Sequence, residues 1–135
     1  RAQMRAWSEY INNCFGALMA VLQSADKEAF EQANQVLINK FQPLSKVLSS
    51  DGAFFYGEKF MTIDSTYAPL FLRMKTLNEL YPDFLLDALP KNIQQWMTSL
   101  LAYEALKKSI MGDFLAIYRS FIGKMAADKY IDRQL

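Results

Sequence analysis

The chain carries few of the side chains that do covalent or acid–base chemistry. Its 135 residues include one cysteine, Cys14, and no histidine. Without histidine there is no Ser-His or Cys-His nucleophile pair and no usual general base near neutral pH. A single cysteine also excludes an internal disulfide and a cysteine cluster for a metal, so we predict no metal site. Any chemistry must come from carboxylates, lysine, tyrosine or a group supplied from elsewhere.

Two side chains lie in apolar stretches and could still be reactive or bind a ligand. Cys14 falls on an apolar stripe with no neighbouring cation in sequence, which predicts a buried, unreactive thiol. Arg73 follows an apolar run, and we expect a structural ion pair, with Asp64 as a candidate partner, or a surface role. Lys107 and Lys108 are expected to be favourable cations late in a short helix.

Charge and hydropathy exclude several classes of partner. The 15 basic and 14 acidic side chains give a net charge of +1, without a basic face for nucleic acid. Residues 10–25 carry no charge, but the stretch is short and polar residues interrupt it, so we predict no membrane span. The low cysteine content makes a reducing cytoplasm the expected compartment.

Helical periodicity runs through the chain, and no convincing strand alternation occurs. The first segment places apolar residues three and four apart, and Asp26 is the expected N-cap of the second helix. Pro43 predicts a kink of that helix near Asn39 or Lys40. We predict one domain, residues 1–135, folded as an all-α orthogonal or up-down bundle of five to seven helices.

The remaining helices follow from the same periodicity. A third helix contains Pro69, and a fourth is expected to start around Pro90. The core side of the third helix is predicted to consist of Ile63, Tyr67, Leu70, Met74 and Leu77. A short helix containing Leu106 and Ile110 is expected to end at Gly112, and Asp113 is expected to cap the last helix. That last helix is predicted to present Phe114, Ile117, Phe121 and Met125 on one side.

Residues 57–64, with the sequence GEKFMTID, form the most specific motif. The run resembles the C-terminal helical domain of the cytosolic glutathione transferase superfamily, where a similar pattern opens the central buried helix. The resemblance implies that Asp64 accepts the backbone N–H of the cap residue, and its loss should cost about 1 kcal/mol. Met61 occupies the cap position without a side-chain oxygen, so either the capping box is incomplete or the helix starts one residue later, with Thr62 as its cap. A hydrophobic staple would need an apolar residue in the first turn facing Phe60, but Ser65 occupies that position, which weakens the staple.

Residues 5–11, 89–97 and 103–109 are similar to other segments of this family, so the resemblance covers nearly the whole chain. It implies that glutathione, the co-substrate, binds mainly to a thioredoxin-like domain upstream of Arg1 that also supplies the catalytic residue. No catalytic residue is therefore assigned to this chain. The substrate-binding candidates are four residues on the less apolar face of the first helix: Ser8, Asn12, Asn13 and Gly16.

The resemblance implies a detoxifying transferase that joins glutathione to hydrophobic electrophiles or reduces them. This chain would supply the wall for the hydrophobic small molecule and homodimer contacts through its first two helices, and alone it would be inactive. The alternative is a non-enzymatic protein of the same fold, similar to the stringent starvation protein A type, which binds RNA polymerase. A ligand-binding domain of a regulator is a third interpretation, disfavoured because no helix-turn-helix or basic face is present.

Overall fold

The computed structural model describes residues 2–103 and 114–134. Within these ranges the backbone forms six α-helices and one short 3-10 helix. They are α1 (Ala2–Leu22), α2 (Lys27–Asn39), α3 (Gln42–Val47), α4 (Thr62–Leu80), α5 (Lys91–Ala102), α6 (Phe114–Met125) and the 3-10 helix Asp132–Gln134. No strand occurs in the same ranges, and the only β-type pairing there is an isolated bridge between Phe54 and Gly57. The all-α prediction is confirmed.

The first two helices form a helical hairpin. Only residues 23–26 connect α1 to α2, and so short a connection makes neighbouring helices antiparallel. The Asp26 side chain accepts the backbone N–H of Ala29 at 2.9 Å, which confirms the predicted N-cap of α2. α1 also packs against α4 and α6, so this hairpin forms one side of the bundle.

α4 is the central helix of the bundle. The five side chains predicted for its core side, Ile63, Tyr67, Leu70, Met74 and Leu77, are all buried. Asp64, Ala68 and Phe71 are buried as well, so more than one face of the helix is removed from water. α1 packs on one part of its surface and α5 on another. The position of α4 therefore determines how the hairpin and α5 are placed.

Pro43 separates two helices instead of kinking one. α2 ends at Asn39, and α3 begins at Gln42 with Pro43 in its first turn. Proline has no N–H to donate within a helix, but in the first turn that donor has no intrahelical partner anyway. The predicted location of the irregularity was right, whereas the prediction of one continuous helix was wrong.

The predicted core side of the last helix was wrong for two of its four residues. Tyr118 and Ile122 are the buried residues of α6, whereas Ile117 is 66% and Phe121 is 38% exposed. Phe114 and Met125 are partly buried against the core. The helix has apolar residues on nearly every side, so two different sets of apolar residues, each with spacings of three and four, could form its core side. Packing against the bundle selects one of them.

Several predictions fall on residues 104–113 and lie outside the described ranges. These are the short helix containing Leu106 and Ile110, its end at Gly112, the cap at Asp113 and the positions of Lys107 and Lys108.

Two glycines shape the loop that leads into α4. The backbone of Phe54 and Gly57 pairs in both directions, with N···O distances of 2.9 and 3.2 Å. Gly57 has a φ of +135°, a conformation that residues with a Cβ rarely adopt. A Cβ on Gly52 would lie 2.4 Å from the carbonyl carbon of Gly57, so the two backbones approach too closely for any side chain.

We expect Gly57→Ala to lower the free energy of unfolding by about 1 to 3 kcal/mol, because alanine is strained at this backbone conformation. Gly52→Ala should also destabilise the protein, by about 1 to 3 kcal/mol, because its methyl group overlaps the neighbouring backbone. Urea unfolding followed by circular dichroism measures both changes.

Gly16→Ala is the matched control, since nothing lies within 4 Å of the added Cβ. Alanine in this helix interior should raise the free energy of unfolding by roughly 0.5 to 1 kcal/mol. Equal effects of all three substitutions would contradict the described loop geometry.

Candidate functional site

The four substrate-binding candidates share one face of α1. Asn12, Asn13 and Gly16 are exposed, and Ser8 is half-buried. The space beyond the Cα of Gly16 is open for at least 4 Å among the described atoms. The opposite side of α1 packs into the core. The structure thus brings the four residues together on a face of α1 that no described element covers and that also carries the exposed charges of Arg5 and Glu9. None of the four lines a described cavity.

Cys14 lies on the core side of the same helix and is fully buried. Burial raises the pKa of its thiol to about 12, and the opposing effect of the Lys40 charge is smaller. Only the thiolate is a good nucleophile, so this thiol is unreactive at neutral pH. This agrees with the sequence prediction of a structural cysteine.

Two tyrosine hydroxyls near Cys14 are engaged in structural hydrogen bonds. The hydroxyl of Tyr67 donates to the carbonyl oxygen of Trp7 at 2.6 Å. The hydroxyl of Tyr10 donates to the carbonyl oxygen of Lys40 at 2.7 Å. Burial raises the pKa of both phenols. Neither hydroxyl is therefore suited to act as a base or nucleophile; each instead fixes α1 against another element.

Asp64 is the most connected polar side chain of the described ranges. Its carboxylate is fully buried and accepts three N–H groups. The donors are the backbone N–H of Phe55 (2.9 Å), the backbone N–H of Met61 (2.8 Å) and the indole N–H of Trp96 (2.8 Å). Met61 is the N-cap residue and Thr62 the first residue of α4, so the helix does not start one residue later.

A different aromatic contact replaces the hydrophobic staple at this helix start. Ser65 is exposed, and its hydroxyl donates to the carbonyl oxygen of Thr62. Phe60 instead stacks on the Tyr103 ring, with the centroids 4.3 Å apart, and Phe54 meets both rings edge-on at 5.5 Å. The chain entering α4 is therefore held both by the nearby Phe54 and by Tyr103, which directly follows α5.

Arg73 does not pair with Asp64, whose three partners are the N–H groups named above. Its guanidinium donates to the carbonyl oxygen of Pro69 at 2.9 Å and lies near three aromatic rings. They belong to Phe15, Phe114 and Tyr118, with centroids 5.9, 5.4 and 5.7 Å from the guanidinium carbon. Cation–π contacts of this kind join α4 to α1 and α6. The expectation of an ion pair with Asp64 was wrong.

Sequence analysis missed two features of the site. The link between Trp96 and Asp64 had no sequence signal beyond the tryptophan in the middle of residues 89–97. A cavity of about 450 Å³ between α4 and α5, with Lys75 and Asp87 among its lining residues, had no signal at all. Its walls come from three separate segments, and no motif connects them.

We expect Asp64→Ala to lower the free energy of unfolding by about 3 kcal/mol or more, because the buried N–H groups of Phe55 and Trp96 and the partly buried N–H of Met61 lose their acceptor. This exceeds the estimate for the loss of a helix cap alone. Asp83→Ala, at an exposed aspartate, is the control and should change stability by no more than about 0.5 kcal/mol. Chemical unfolding measures both. A loss of only about 1 kcal/mol in Asp64→Ala would mean that capping alone matters.

We expect the thiol of Cys14 to react with a thiol-specific reagent at pH 8 at least about a thousandfold more slowly than an unfolded cysteine. In urea, one thiol per chain should react rapidly. Fast reaction of the folded chain would contradict the buried position.

The raised pKa also predicts a pH dependence of stability. Burial favours the neutral form of the Cys14 thiol. The contribution of this preference to the free energy of unfolding is therefore complete below the ordinary pKa of 9.0 and is lost as the pH rises towards the raised pKa of about 12. Cys14→Ala should therefore lose less stability than the parent protein between these two pH values.

Three further observations concern metal ions, membranes and known proteins. No group of three or more His, Cys, Asp or Glu side chains in residues 2–103 and 114–134 could hold a metal ion. None of the described helices is both long and apolar enough to cross a membrane. Comparison of the chain with protein-family models, curated proteins and solved structures found no match.

Proposed function

We propose that this chain is the helical domain of a glutathione-transferase-like protein. The observation that carries the proposal is the position of Asp64, whose carboxylate accepts the Met61 N–H at 2.8 Å at the start of the buried central helix. This is the interaction that the family motif implies. The same carboxylate accepts the indole N–H of Trp96. Two segments that resemble the family, residues 57–64 and 89–97, thus meet at one side chain.

In this proposal the exposed face of α1 is one wall of a hydrophobic-substrate site. Its candidate residues Ser8, Asn12, Asn13 and Gly16 carry no charge. Uncharged side chains suit a neutral electrophile, and the exposed Arg5 and Glu9 add one charge of each sign to the same face. The face is uncovered among the described elements, as a surface completed by another domain would be.

The nucleophile in this proposal comes from glutathione, bound mainly by a thioredoxin-like domain of the full-length protein. Burial raises the pKa values of Cys14 and Tyr67, so neither can serve as the nucleophile at neutral pH. In conjugation, the glutathione thiolate forms a bond to an electrophilic carbon of the substrate, and the leaving group departs with its electron pair. This chain positions the electrophile, and α1 and α2 contribute to a homodimer.

A non-enzymatic role is the second candidate, in which the same fold binds RNA polymerase as stringent starvation protein A does. The observation that favours it is an apolar patch on α6, where Ile117 is 66% and Phe121 is 38% exposed and the two lie one turn apart on the same side. Exposed apolar patches on a folded domain are typical of protein-binding surfaces. Turnover by the full-length protein separates the two candidates.

We expect Asn13→Trp in the full-length protein to raise KM for a hydrophobic electrophile about tenfold, because the indole fills the proposed wall. KM for glutathione should stay unchanged, since that ligand binds to the other domain. Steady-state kinetics of conjugation provide both constants.

Gln95→Trp on the exposed side of α5, away from the proposed dimer helices, is the control for adding a large aromatic ring, and it should change neither constant. The isolated chain should show neither glutathione binding by calorimetry nor conjugation. Activity of the isolated chain would overturn the proposed division between two domains. An inactive full-length protein would favour the non-enzymatic candidate.

A further inference from the structure

The cavity between α4 and α5 has the size of a small-molecule site. Its volume of about 450 Å³ lies within the range of roughly 300 to 1,000 Å³ that is usual for ligand pockets. One wall belongs to α4, another to α5, and the third to the segment 81–90 that connects them. None of the substrate-binding candidates on α1 lines it, so the cavity is separate from the site proposed above.

The third wall is fixed although it contains no helix or strand. The side-chain amide of Asn78 donates to the carbonyl oxygen of Phe84 at 2.7 Å, and that of Gln94 donates to the carbonyl oxygen of Leu89 at 2.8 Å. From the other side, Asn34 donates to the carbonyl oxygen of Leu85 at 3.1 Å and accepts its N–H at 2.7 Å. A ligand would therefore enter a pre-formed cavity, at little cost in chain ordering.

The floor of the cavity is apolar. Leu89 and Met97 are buried, and Leu86 and Leu101 pack half-buried against the core. A ligand that fits this floor must carry an apolar body, since a buried polar group without a partner would be unfavourable.

The polar lining supplies one positive and one negative charge, from Lys75 and Asp87. The Gln94 amide donates to the carbonyl oxygens of Asp87 and Leu89, and the Asn78 amide uses one of its two N–H groups on Phe84. The carbonyl oxygens of both amides are acceptors. A ligand with a single charge would be attracted by one charged residue and repelled by the other. A head group that carries both charges fits the lining better.

We propose that this cavity binds a small zwitterion with an apolar side chain, namely an apolar α-amino acid. Its ammonium group pairs with Asp87 and the free amide oxygens, and its carboxylate pairs with Lys75. Its side chain lies on the floor formed by Leu89 and Met97.

Three ligands of similar size test the proposal on this chain: L-phenylalanine, phenethylamine and 3-phenylpropionate. All three share the aromatic body. L-phenylalanine carries both charges, phenethylamine only the positive charge and 3-phenylpropionate only the negative charge. Calorimetry or NMR titration should show that L-phenylalanine binds at least about tenfold more tightly than either analogue. A tenfold ratio is what the loss of one hydrogen bond to a charged group would produce. Absence of L-phenylalanine binding at millimolar concentration, or equal binding of all three, would overturn the proposal.

Two substitutions at exposed positions then assign the charges without disturbing the core. Lys75→Gln should weaken L-phenylalanine binding about tenfold and leave phenethylamine binding no weaker. Asp87→Asn should weaken L-phenylalanine and phenethylamine binding. Lys46→Gln on α3, also at an exposed lysine, is the control and should change nothing. The same loss in the control, or no loss in the two cavity variants, would contradict the assignment. Glutathione is absent throughout, so the result does not depend on the proposed transferase function.

Discussion

The buried carboxylate of Asp64 is the interaction on which the arrangement of this bundle depends. A carboxylate away from water is strongly unfavourable unless several donors surround it. Its three donors come from the loop before α4, from the N-cap residue of α4 and from α5. The core can therefore close only when these three segments meet at one point.

The aromatic packing around this point follows from that requirement. The Trp96 ring lies between three others, with centroid distances of 5.2 Å to Phe55, 5.3 Å to Tyr67 and 5.0 Å to Phe71. The indole N–H donates to the Asp64 carboxylate while the ring packs in the core, so Trp96 both stabilises the buried charge and fills apolar space.

Local sequence was informative wherever one residue acts on its near neighbours. The cap at Asp26, the core side of α4 and the bond from Asp64 to the N–H of Met61 all span a few positions, and the structure has each of them. Sequence was less informative where alternatives were close in energy. The apolar residues of α6 allow two core faces, and Pro43 is compatible with a kink or with a new helix start.

Sequence alone determined that the chain is helical and that its cysteine belongs to a buried stripe, and the resemblance of residues 57–64 to a family motif implied that Asp64 caps the central helix. These properties depend on periodicity and on contacts within one helical turn. Tertiary structure alone decided that Trp96 and Phe55 share the Asp64 carboxylate, that Arg73 lies among aromatic rings, and that Lys75 and Asp87 line one cavity. Each of these involves residues from separate segments, whose meeting depends on how all the helices pack at once and not on any spacing along the chain.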